Sequence, residues 1–106
     1  MYKLVAIYKK PEDTQAFDEH YFNIHLPLAS KMPGLRKAEI SKIVGSPMGQ
    51  SDYYLLAEMY FDDMASLENA MASAEGKAAG KDLMGFAGKL VNMMFAKVED
   101  KVPAVR

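Results

Sequence analysis

The sequence predicts an α+β fold: one four-stranded antiparallel sheet with two helices on a single face. Three observations carry this. The 106 residues suit a single domain spanning 1–106, long enough for its own core. Apolar segments run in the order β-α-β-β-α-β, the ferredoxin-like arrangement. The first, third and fourth strand segments are apolar on both sides, more than two helices can cover, and a second copy is the simplest cover.

Tyr2–Lys9, the first element, is rich in β-branched and aromatic residues and reads as a strand. Leu4, Ala6 and Tyr8 share one face of that strand, Val5 and Ile7 the other. Pro11 ends it, and Asp13 or Thr14 supplies a helix cap. Phe17, Tyr21, Ile24 and Leu28 then fall at offsets of 4, 3 and 4, the stripe of a core-facing helix. Pro27 disfavours the helical state at Leu26, which predicts a kink or break there. Met32-Pro33-Gly34 is a turn.

Arg36–Val44 reads as a half-exposed strand, and residues 45–52 as a long loop. Tyr53–Phe61 is the strongest strand, a continuous apolar run with one intruder, Glu58. Asp62 or Asp63 caps a second helix carrying Met64, Leu67 and Met71 on one stripe. Ser73–Gly88 holds four glycines, each weakening a helix by about 1 kcal/mol, and reads as a loose short helix within a loop. Leu90–Val98 is the last strand. The tail Glu99–Arg106 is expected to be poorly ordered unless it docks on a partner.

Composition narrows the function. The net charge of −1, with signs interspersed, gives no footprint for nucleic acid or a membrane surface. There is no Cys, hence no thiolate nucleophile or Cys-based metal site, which fits a reducing compartment. The N-terminal apolar run is too short for a signal peptide or a span, so a cytoplasmic location is expected. Gly76-Lys77-Ala78-Ala79-Gly80-Lys81 fails as a phosphate loop: its glycines are too close, and Asp82 stands where Ser or Thr should bind magnesium.

Two histidines are then the only groups that ordinarily titrate near neutral pH. His25 lies about 80° around a regular helix from Phe17, on the border of the apolar stripe and beside the proline. It either packs locally or serves as an acid/base at the helix end. His20 points about 140° away from His25, which argues against a joint metal site and for a structural or solvent-facing role. Glu58 alternates with Tyr54, Leu56 and Tyr60 onto the face away from the helices. It is either a second acid/base or a partner of Arg36 or Lys42 in a salt bridge. Tyr21, Tyr54 and Tyr60 are the candidate substrate-binding residues; no metal ligand set is visible.

The run Phe17…Tyr21…His25-Leu26-Pro27-Leu28…Met32-Pro33-Gly34-Leu35, followed by Glu58-Met59-Tyr60-Phe61-Asp62, resembles the EthD family. That family is named from ethyl tert-butyl ether degradation. The resemblance covers nearly the whole chain. It implies a homodimer of ferredoxin-like subunits, a dimeric α+β barrel, with a pocket between sheet and helices. It also implies that His25, Pro33 and Gly34 occupy motif positions. Broader relatives include cofactor-free monooxygenases, polyketide cyclases and isomerases. The expected activity is therefore cofactor-free chemistry on a small apolar oxygenated molecule with His25 as acid/base; the alternative is a non-catalytic binding protein using the same cavity.

Overall fold

A computed structural model describes residues 1–99; the expectation for the tail beyond that point lies outside the described residues. The strands are β1 (Tyr2–Lys9), β2 (Lys37–Lys42), β3 (Tyr53–Phe61) and β4 (Val91–Lys97). They form one sheet in the order β2-β3-β1-β4, all neighbours antiparallel. The first helical segment is α1 (Thr14–His20), which passes through a π turn (Tyr21–His25) into α2 (Leu26–Ala29). After β3 come α3 (Met64–Ala72) and α4 (Ala74–Ala87). The molecule is a slab 43 × 36 × 19 Å. No helix of the described residues is long and apolar enough to cross a membrane.

The caps are those the sequence offers. Asp13 accepts from the Ala16 amide at 3.0 Å, and Asp63 from the Ser66 amide at 2.7 Å. Each satisfies a donor that the first helical turn leaves free. Gly34 takes φ +79° in the turn after α2, a conformation that side chains disfavour. Leu4, Ala6 and Tyr8 face the helices and are buried, as are Leu55, Ala57, Met59 and Phe61. The opposite sheet face carries Val5, Ile7, Leu56, Glu58 and Met94 in register. No helix covers it.

The kink or break expected around Leu26 takes the form of a π turn, and two further expectations are corrected; the helical path itself does not end at Pro27. That proline has no N–H to give, so the turn before it forfeits a hydrogen bond in any register, and widening that turn loses little more. The chain therefore makes a π turn, with the Leu26 amide donating to the Tyr21 carbonyl, and continues to Ala29. The extra residue turns the second half of the helix about its axis: Ile24 swings out to 48% exposure and His25 swings in to 5%. Secondly, the glycine-rich segment is a full fourteen-residue helix. Ser73 caps it by accepting from the Gly76 amide at 3.0 Å, and Ala79, Leu83 and Ala87 bury one stripe. Burial of that stripe outweighs the glycine propensity. Thirdly, Tyr54 does not share the open face with Glu58. The β1–β3 register shifts between Tyr8 and Lys9, and the Tyr54 ring meets Phe17 of α1 edge-on at 5.6 Å.

Candidate active site

The π turn decides the site. In a regular helix residues five apart diverge, but i→i+5 hydrogen bonding stacks them. His20 and His25 thus point the same way, toward α4, and both meet Asp82. His20 Nε2 lies 2.9 and 3.1 Å from the two carboxylate oxygens, and His25 Nδ1 lies 3.1 Å from Oδ2. Among the described residues no three such side chains are placed to share a metal ion. Asp82 holds the rings instead. A carboxylate accepts only, so the nitrogens turned to it carry the protons.

His25 is buried. Burial lowers its pKa below the ordinary 6.5; the Asp82 hydrogen bond and charge oppose that shift, and His20 adds to it. The ring is therefore neutral at pH 7, with Nδ1–H donated to Asp82. Nε2 is left with its lone pair, and no protein partner for it occurs among the described residues. His20 is half-buried and stacks on Phe86 with ring centroids 4.2 Å apart. It completes the arrangement from the solvent side.

A cavity of about 70 Å³ lies against His25, between helices and sheet. It sits where two core clusters meet: Leu4 and Met59 belong to one, Ala6, Tyr8, Tyr21 and Leu83 to the other. The lining is almost wholly apolar. A water needs roughly 10–15 Å³, so the space suits about five to seven heavy atoms. Low polarity strengthens any interaction made there.

The predicted residues separate into three places. His25 and Tyr21 line this cavity together. Glu58 lies on the other side of the sheet, where Lys3, and neither Arg36 nor Lys42, donates to its carboxylate. Tyr60 is beside it, with Lys3 and Lys37 ammonium groups 5.3 and 5.1 Å from its ring centre. Tyr54 donates to Asp18 at 2.8 Å and also receives Lys42. Asp82 is the residue that sequence reasoning missed. The signal for it lies in the Ala79, Leu83, Ala87 stripe, which makes residues 74–87 a helix and puts Asp82 at the border of its buried face.

The model of the EthD domain matches residues 9–89, most of the chain. The chain belongs to the EthD family. The EthD match takes in His20, Tyr21, His25 and Asp82, and leaves out β4. An 11.0 kDa protein of the thcB–thcC intergenic region of Rhodococcus erythropolis is 35% identical over 97% of this chain and 100% of its own length. An EthD family crystal structure from Bacillus halodurans is 58% identical, with TM-score 0.92, over 93% of this chain and 99% of that one. Two more distant structures share the EthD fold. A dimeric ferredoxin-like protein from Jannaschia is 18% identical with TM-score 0.66, covering 92% of this chain and 100% of its own. SnoaB from Streptomyces nogalater, a cofactor-independent oxygenase, is 12% identical with TM-score 0.69, covering 97% of each chain.

Proposed function

We propose that this EthD protein is a homodimeric enzyme that moves a proton on a compact, apolar, oxygen-bearing molecule, with His25 as the base and no bound cofactor. One observation carries the reading. His25 donates Nδ1–H to Asp82 at 3.1 Å, its other nitrogen has no protein partner among the described residues, and the residue lines an apolar cavity. A neutral imidazole oriented by a carboxylate is the arrangement general-base catalysis requires. The cofactor-independent chemistry of SnoaB supports the absence of a cofactor at the level of fold. Whether the carbanion is then isomerised, cyclised or oxygenated separates the isomerase, cyclase and monooxygenase forms of the reading.

The test is hydrogen–deuterium exchange at the α-carbon of cyclopentanone in D2O, followed by NMR. Six heavy atoms match the cavity. Wild type is expected to speed exchange, with a rate that falls in acid. The sign comes from the lowered pKa: the active form is neutral, so the midpoint of the acid limb lies below 6.5. Stability has the same sign, full above 6.5 and lost as pH falls through the folded pKa. A midpoint above 6.5, or exchange that survives His25→Ala, would remove His25 from the reaction.

The second reading, a non-catalytic binding protein, is favoured by the small size of the cavity. It predicts ligand binding without exchange. In either reading the open sheet face pairs with a second copy. Val5, Ile7, Leu56 and Met94 lie there with no helix of the described residues over them, and the structural neighbour from Jannaschia is dimeric. Glu58 and Tyr60 would then line the space between the sheets, the one place where they could meet a ligand. Light scattering at micromolar concentration is expected to give twice the 11.8 kDa chain mass; a stable monomer would refute the pairing.

A further inference from the structure

The side chains around the cavity divide by exposure. Leu4, Ala6, His25 and Ala57 are buried, at most 7% exposed, whereas Met71 of α3 is 37% exposed and Met93 of β4 is 40% exposed. A residue that lines a cavity and also faces solvent marks where the two meet. Gly80 of α4 lines the same space, is half-buried, and would meet nothing within 4 Å if it carried a Cβ. Met71, Met93 and Gly80 therefore bound a mouth, on the side where β4 forms the edge of the sheet. Small residues lead inward from it. Ala6 pairs with Ala57 on one side and Met93 on the other, so the helix-facing row Ala57–Ala6–Met93 is low in the middle, with Met93 standing at its outer end. Gly80 and Asp82 are two residues apart on α4, about 200° around its axis, and so occupy opposite flanks. The mouth lies on one flank of α4; the carboxylate that holds His25 at 3.1 Å lies on the other.

We propose that the ligand enters over the β4 edge between Met71 and Met93, passes beneath α4 at Gly80 and comes to rest against His25, and that the two methionines limit its size. The proposal deepens the proton-transfer reading by naming how its substrate is selected; the binding it describes does not depend on the reaction. Methionine is unbranched, with three rotatable bonds, so both side chains can turn aside toward solvent and return. A ligand that fits within the cavity of about 70 Å³ lets them close behind it. A longer one holds them open and leaves apolar surface in water, which is unfavourable. The class selected is a small neutral ketone, a flat ring or a short chain, rather than a bulky polycycle. Charged ligands are disfavoured, because the lining is almost wholly apolar and a charge brought into it loses its hydration.

The experiment titrates cyclopentanone and the larger cyclooctanone by NMR into wild type, Gly80→Leu, Gly85→Leu and Met93→Ala. Circular dichroism first verifies that each variant is folded. Gly80→Leu fills the mouth and is expected to weaken cyclopentanone at least tenfold. Gly85→Leu is the matched control: it gains the same side chain on the same helix, also with nothing within 4 Å of its Cβ, but away from the cavity. It is expected to bind within about twofold of wild type. Wild type is expected to favour cyclopentanone over cyclooctanone at least tenfold, against the order that hydrophobicity alone would give. Met93→Ala removes an exposed side chain and is expected to abolish that preference. Binding to Gly80→Leu as tight as to wild type overturns the proposal. So does a size preference that survives Met93→Ala, or a wild type that binds neither ketone. Proton exchange on cyclopentanone keeps the two claims apart. If wild type shows no exchange while Gly80→Leu blocks binding and Met93→Ala relaxes the size limit, the mouth stands and the proton-transfer reading falls. If Gly80→Leu exchanges at the wild-type rate, the mouth falls and the proton-transfer reading stands.

Discussion

Asp82→Ala is expected to slow proton exchange by about 10²–10⁴-fold, the range over which a general base and its orienting carboxylate operate. The cause is the tautomer. With the carboxylate present, the His25 proton sits on Nδ1 and the lone pair is left on Nε2. Without it, nothing holds the proton there, and the form protonated on Nε2 is no base toward the ligand. The substitution also strands a buried N–H, at a cost of roughly 1–3 kcal/mol in stability. Asp82→Asn separates the two effects. Its amide oxygen still accepts from one ring, so unfolding is expected nearer to wild type than for Asp82→Ala, while exchange remains impaired. Urea denaturation beside the exchange assay reads both. Full activity in Asp82→Ala would show that the carboxylate is only a surface ion-pair partner.

Gly76→Ala is expected to destabilise the fold by about 1–3 kcal/mol or more, the range for overpacking. A Cβ at Gly76 would stand 2.1 Å from the Ala70 carbonyl oxygen and 2.8 Å from that of Met71. Both are backbone atoms, so α4 would have to move away from α3. Gly85→Ala is the matched control. It meets nothing within 4 Å in the same helix, and is expected to stabilise by about 1 kcal/mol through helix propensity alone. Opposite signs at two glycines of one helix are read directly from thermal melts. Equal effects would mean that α3 and α4 are not in close contact.

Asp82 and Gly76 also mark where the sequence is opaque. The order of elements, both aspartate caps and the placing of Glu58 away from the helices are all legible, because alternation and capping are local. The helix at residues 74–87 is hidden because propensity counts each glycine as a loss. Gly76 is instead the condition for α4 to start against the last turn of α3, and the buried Ala79–Leu83–Ala87 stripe compensates the rest. With that helix hidden, Asp82 has no face to be on. His25 stands out in the sequence as a functional candidate, but at the margin of its helix. Its burial depends on a π turn, which shifts the stripe by one residue after Tyr21 and which no regular periodicity expresses.

That turn has a mechanical consequence. In a regular helix each added residue rotates every later one by about 100°. Here the added residue sits just before a four-residue segment, Leu26–Ala29, after which the chain leaves the helix and reverses at Gly34. The rotation is spent within one turn and never reaches β2. The helix thus works as a clutch and not as a rigid shaft. Its first half is locked to Tyr8 by Phe17 and Tyr21, whereas the angular setting of His25 is fixed separately. The two settings meet where the Tyr21 ring packs on the imidazole, with centroids 5.4 Å apart, so a change at Tyr21 is felt at His25 while one at Phe17 is a step removed.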